Sequence, residues 1–293
     1  MHLVMTLIAG PGEAALADVV ATLPPTLPVI AAPDWLAPGI ACDLAMAQPD
    51  RKEAERWARS AIGRAAIDVL VQPAAGRRKR ILVADLEATI IENEMLDELA
   101  EFADLRAHVA EITRRAMNGE LDFAAALAER VALLKGLPAA VLDEAAARIR
   151  LTPGARQLLA TSRAAGVTTA LVSGGFTVFA DRVAAELGFD HVLANRLDIA
   201  DGRIAGTVAA PIVTRESKRD ALLALARDAG VAPSAVLAVG DGANDLPMLL
   251  AAGLGVAFHA KPTVAAAARW RLGHADLAGL LYAQGYRHSE IIA

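Results

Sequence analysis

The sequence predicts an α/β protein built on a doubly wound parallel sheet, with a helical cap inserted after the first core strand and a small α+β domain in front. Three observations carry this expectation. Short apolar runs ending in Asp, Ser or Gly alternate with helical segments from residue 81 onward. One interval, residues 93–152, holds no strand-like run. The first 75 residues differ in texture, with many prolines and no charged cluster that looks like a site. Strands alternating with helices indicate a parallel sheet covered on both faces.

In chain order, residues 2–9 and 66–72 are apolar runs of strand length, and 13–23 and 52–62 have helical patterning. These define the small domain, 1–75. Residues 73–80, PAAGRRKR, have the composition of a solvated linker into the larger unit, 76–293. There ILVAD (81–85), TTALVSG (168–174), AVLAVGD (235–241) and GLGVAF (253–258) are the core strands, with helices expected over 153–165, 177–187 and 216–229. Within the cap, Asp122 caps a helix over 122–135 that Gly136 stops, and Pro138 fits the first turn of the next. Residues 197–208 form a hairpin turning at Asp201-Gly202.

The 293 residues suffice for a large domain plus a smaller one. A composition 55% hydrophobic and 22% charged excludes a disordered chain. The richest apolar stretch, 15–47, is interrupted by prolines and by Asp18, Asp34 and Asp43, so no membrane span is expected. The start, MHLVMTLIAGPGEAA, lacks a basic cluster, and a cytoplasmic location is expected. The single cysteine, Cys42, excludes an internal disulfide. A net charge of −5 argues against nonspecific nucleic-acid binding but leaves small anionic substrates open.

In doubly wound sheets, ligands bind beyond the carboxyl ends of the strands, so the polar residues closing the runs fall on one rim. The first run closes on Asp85-Leu86-Glu87. An aspartate at a strand end is ordinarily a cap. Two carboxylates two positions apart can divide nucleophilic attack and proton transfer between them. Ser173-Gly174-Gly175 offers a hydroxyl and approachable backbone N–H groups to an anion, although the tripeptide alone reads more readily as an ordinary glycine turn. Lys218 stands near a helix start, against the macrodipole, where an anion would compensate it. Gly240-Asp241-Gly242-Ala243-Asn244-Asp245 presents two carboxylates and an amide, oxygen ligands suited to Mg²⁺. A nucleophile, a metal, an anion cradle and a cation together are the equipment of phosphoryl transfer.

The order of these motifs resembles the haloacid dehalogenase-like superfamily. Residues 81–285 are similar to phosphoserine phosphatases in DLEATIIENEMLDELA (85–100), ITRRAMNGELDFAAALAERVALLKGLP (112–138), LVSGGF (171–176), ESKRD (216–220) and GDGANDLPML (240–249). The N-terminal part resembles the ACT-like extension of some bacterial members. The resemblance implies that Asp85 becomes an aspartyl phosphate and that Mg²⁺ is held by the Asp85 side chain, the main-chain carbonyl of Glu87 and Asp241, supported by Asp245. It implies that Ser173, the Gly174 amide, Lys218 and Asn244 hold the phosphate. On the cap, Glu94 meets the substrate ammonium, Arg130 its carboxylate, and Met117 and Phe123 close the pocket. An Arg grips a carboxylate through paired hydrogen bonds. The pairing of Arg130 along its own helix is disfavoured, because Ala126 and Leu134 hold the flanking positions. Glu94 also reads as a helix-start carboxylate.

Two positions depart from the family pattern: Glu87 stands for Asp, and Ala88 for Ser. The longer Glu87 arm carries the same acid–base group one methylene further out. The implied reaction is hydrolysis of O-phospho-L-serine, the last step of the phosphorylated route to serine. Two alternatives follow from the same residues. One is phosphoryl transfer to another amino-acid hydroxyl such as homoserine. The other is a non-catalytic amino-acid-binding regulator. A homodimer is the assembly kept in view.

Overall fold

The computed structural model describes residues 2–23, 27–47, 50–117 and 120–293. The chain begins with β1 (Leu3–Ala9), α1 (Leu16–Ala21), β2 (Asp34–Ala37), β3 (Ala41–Met46), α2 (Arg51–Ile62) and β4 (Ile67–Pro73). These strands form a sheet in the order β2-β3-β1-β4 with every pairing antiparallel, the split βαββαβ arrangement. Strands β2 and β3 lie in the proline-rich stretch where the sequence pattern showed none.

All of β1 is buried, because its two faces meet different partners. Leu3, Met5, Leu7 and Ala9 pack with Ala54, Ala58 and Ile62 of α2, whereas Ile8 joins the core of the larger unit. Period-2 alternation produces this division.

The larger unit runs β5 (Ile81–Ala84), then α3 (Met95–Glu101), α4 (Arg106–Met117), α5 (Phe123–Ala132) and α6 (Val141–Ala146). It continues with α7 (Ala155–Ala164), β6 (Thr168–Phe176), α8 (Thr177–Leu187), β7 (His191–Ala200), β8 (Arg203–Ala209) and α9 (Arg215–Asp228). Last come β9 (Val236–Gly240), α10 (Leu246–Ala251), β10 (Leu254–Phe258), α11 (Pro262–Ala267), β11 (Trp270–Leu272) and α12 (Gly279–Ala283). The sheet order is β11-β10-β9-β5-β6-β7-β8, parallel except for β8. β5 is central and wholly buried, as its unbroken apolar run requires. Asp85 therefore emerges from the middle of the rim.

Helices α3 to α6 form the insert. Its two connections to the core are held together where Ile91 bridges Leu151 and where the Asn93 side chain accepts from the Arg150 N–H at 2.8 Å. Asp122 caps α5 by accepting from the Ala125 N–H at 2.9 Å. Pro138 does not open a helix. It bridges to Arg203 on β8, and α6 starts at Val141. The hairpin turns at Asp201-Gly202 as expected, both with positive φ, but its first strand begins at His191 and also extends the parallel sheet.

The linker is less solvated than its composition suggests. The Arg77 guanidinium donates to Asp43 on β3 at 2.5 Å, to Thr6 on β1 at 2.9 Å and to the Ala283 carbonyl at 3.2 Å. It ties the small sheet to the end of α12. Asp68 accepts from the N–H groups of Gly273, His274 and Ala275, and the Trp270 indole donates to the Val71 carbonyl. Among the described residues no helix is long and apolar enough to cross a membrane.

Candidate active site

Between β5 and the cap, residues Leu86–Ile90 make one wide turn in which Glu87 is extended (ψ 139°) and Ala88 is left-handed (φ 51°). This reversal turns the chain from the strand end into the cap while Asp85 stays buried at 5% exposure. Asp85 Oδ1 accepts from the adjacent Leu86 N–H at 2.8 Å. The same oxygen lies 2.8 Å from Lys218 Nζ.

Lys218 is 1% exposed, so it is no surface lysine. It projects inward from the first turns of α9, whose start is set by Thr214 and Ser217 capping each other. Its ammonium also donates to Asp245 Oδ1 at 2.7 Å. Burial alone would lower Lys218, but Asp245 and Asp85 outweigh it and hold the group above the ordinary lysine range. Asp245 is in turn fixed by the Gly242 N–H at 3.0 Å. Its return over the strand end requires Gly240, where a Cβ would lie 2.4 Å from Asp245 Cγ.

Asp85, Asp241 and Asp245 offer carboxylate oxygens that all lie within 4.8 Å of one another. Burial, and then the Asp245 charge, raise Asp85 well above the usual carboxylate range despite Lys218. Burial and Asp245 push Asp241 up to about 7 against the pull of Lys261. The Asp241 Oδ2 and Asn244 Oδ1 atoms are buried without a hydrogen-bond partner. Three clustered acids, an orphaned oxygen and an all-oxygen donor set fit a hard divalent cation.

The rim is completed by Ser173, fully buried, whose Oγ accepts from the Gly175 N–H at 2.9 Å. Asn195 holds the Gly174 carbonyl at 2.8 Å, which leaves the strand end in one orientation. Gly174 is a close approach: a Cβ there would lie 2.5 Å from Phe123 Cζ at the start of α5. Cap and core meet at this contact.

One pocket joins the two halves. Asp85, Glu87, Gly174, Asp241 and Asn244 line it from the core, and Glu94, Phe123 and Arg130 from the cap. Leu96, Leu127 and Phe176 form its apolar wall, none of which the sequence reading singled out. Glu87 Oε1 accepts from the Met95 N–H at the start of α3 at 2.8 Å. Burial raises Glu87 above the usual range, and that bond pulls it partly back. Glu94 is raised further, by burial and then by Glu87. Arg130 is 3% exposed. Its Nε donates to the Ala126 carbonyl at 3.0 Å, so the neighbour four residues back does pair with it, through the main chain and not the side chain. Met117 ends α4, and its side chain lies outside the described residues.

A hydrolase family model, haloacid dehalogenase-like hydrolase, matches residues 82–250. The chain belongs to this family. It is 41% identical over 237 residues to a phosphoserine phosphatase of Archaeoglobus fulgidus, covering 80% of this chain and 69% of that protein. It is 45% identical over 229 residues to a phosphoserine phosphatase of Streptomyces coelicolor, covering 78% of this chain but 56% of that relative, so it spans little more than half the latter's length. Among solved structures it is similar to a HAD family hydrolase from Salmonella enterica serovar Typhi, with a TM-score of 0.84 and 29% identity over 96% of this chain and 97% of that one.

Proposed function

We infer that this protein is a phosphoserine phosphatase, a phosphoric monoester hydrolase that converts O-phospho-L-serine and water to L-serine and phosphate. The observation that carries the reading is a single pocket that joins a buried strand-end aspartate to a cap glutamate and a cap arginine. A zwitterionic amino acid needs one anion and one cation facing it, and a phosphate ester needs a nucleophile. The pocket offers all three.

In this reading an Asp85 oxygen attacks phosphorus, and the bond from phosphorus to the serine oxygen breaks. The Glu87 carboxyl passes its proton to the departing alkoxide. Glu87, now a carboxylate, takes a proton from water, which attacks the aspartyl phosphate and releases phosphate with Asp85 restored. Lys218, the Ser173 hydroxyl, the Gly174 N–H and Asn244 hold the phosphoryl oxygens, Glu94 receives the ammonium and Arg130 the carboxylate. Phe123 closes the pocket from the cap. Asp85, the Glu87 carbonyl and Asp241 would hold Mg²⁺ with Asp245 in support, and the ion would supply positive charge against the phosphoryl oxygens. The raised Asp85 and Asp241 carboxyls support a need for such charge. We further propose an ACT-like role for the N-terminal sheet and a cytoplasmic setting.

The test is phosphate release with Mg²⁺ from phosphoserine, phosphothreonine and a sugar phosphate. The reading expects phosphoserine to be turned over at least about tenfold faster than the sugar phosphate, which lacks the ammonium and carboxylate that a well-placed polar pair recognises. Equal rates on all three would remove the specificity assigned to Glu94 and Arg130.

A further inference from the structure

Arg130 is held by more than its own helix. Its Nη1 donates to Thr113 Oγ1 on α4 at 2.9 Å, and the Thr113 hydroxyl donates onward to Asp97 Oδ1 on α3 at 2.8 Å. Thr113 is 4% exposed and Arg130 3%, so water cannot replace either bond at low cost. One hydroxyl thus accepts from a cation and donates to a carboxylate, which is the full use of its single proton. The chain crosses three cap helices. With Nε committed to Ala126 and one Nη1 proton to Thr113, three of the five guanidinium N–H groups have no hydrogen bond among the described residues, and Arg130 lines the substrate pocket.

We propose that Thr113 and Asp97 are positioning residues for substrate recognition: the Asp97–Thr113–Arg130 chain fixes the plane of the guanidinium so that its free edge meets the substrate carboxylate. This rests on the phosphoserine reading above and names the part of the specificity it leaves open. A guanidinium anchored at Nε alone is held at one point and can still pivot about that single hydrogen bond. The Thr113 bond supplies a second fixed point and removes that freedom. Recognition by paired hydrogen bonds is geometric, so loss of the plane affects ligands with a carboxylate and leaves those without one unaffected.

The experiment compares wild type, T113V, T113S and D97N. Each is assayed for turnover of O-phospho-L-serine and for competitive inhibition by O-phosphoethanolamine, which keeps the phosphate and ammonium but lacks the carboxylate. Expected is a KM for phosphoserine raised about tenfold in T113V, the loss of one charge-assisted bond. The inhibition constant of phosphoethanolamine should stay within twofold and kcat within threefold. T113S should restore the wild-type KM, and D97N, whose amide oxygen still accepts from Thr113 but without the charge, should move KM the same way as T113V by a smaller factor. Equal weakening of both ligands in T113V and D97N would mean that the chain merely braces the cap, and an unchanged KM in both would overturn the proposal outright. The wild-type row separates the two readings: no phosphate released from phosphoserine by wild type refutes the substrate assignment itself, whatever the variants do.

Discussion

Glu87 is the residue on which the proposed chemistry turns, and two substitutions separate its functions. In E87Q the amide oxygen can still accept from the Met95 N–H, now bonded at 2.8 Å, so the approach of α3 to the core is kept. The proton-transferring carboxyl is lost. General acid–base groups contribute about 10²–10⁴-fold, and kcat should fall within that range with KM little changed. In E87D the carboxylate is kept but withdrawn by about one C–C bond, ~1.5 Å. The Met95 bond then stretches past the hydrogen-bond limit. For a half-buried charged acceptor the loss is about 1.5 kcal/mol, a fall in Tm of about 3–6 °C. A catalytic group misplaced by about 1 Å can cost about 10²-fold in rate, so E87D should also be slow. The assay is initial-rate phosphate release from phosphoserine at saturating Mg²⁺, with a melting curve for each variant. An E87Q enzyme within threefold of wild-type kcat would refute the acid–base role. A faster E87D would refute the view that this pocket is built for the longer arm.

Three further outcomes are expected. Mg²⁺ should raise the melting temperature, by about 2.7 kcal/mol of stabilisation at a hundredfold excess over Kd, and D241N should abolish that shift. Asp241 is raised to about 7 in the fold, so its ionisation costs stability as pH climbs from the ordinary value of 3.8 through 7, and metal-free D241N should melt higher than metal-free wild type at pH 8. In G174A a methyl would lie 2.5 Å from Phe123 Cζ, and displacing the ring should raise KM about tenfold, the effect shrinking in an F123A background. Burial pushes the Cys42 thiol up to about 12 from 9.0, so native protein should resist thiol reagents at pH 8 and react once unfolded. Above pH 9 the unfolded chain releases that proton and the folded one does not, and denaturant titrations should find stability falling from there upward.

The sequence by itself determined the sheet and the identities of the rim residues. Buried parallel strands must be apolar on both faces, and chemistry at their carboxyl ends must be polar, so ILVAD and AVLAVGD announce strand and site together. Asp122 likewise announces its helix, because a cap bond spans three residues. The pairings that depend on distant elements were not legible. Strands β2 and β3 are short and proline-flanked, and are stabilised by pairing with each other and, for β3, with β1. Local preference places Pro138 in a helix, yet it bridges to Arg203 of the hairpin. Arg77 has linker composition but lies between Asp43 and Ala283, residues 34 and 206 positions away. The Arg130 partners, Thr113 and Asp97, stand 17 and 33 positions off, the second reached through the 16-residue step between α4 and α3. Only tertiary structure decided these, because a hydrogen bond between helices depends on how the helices pack, and no periodicity along one segment records the orientation of another.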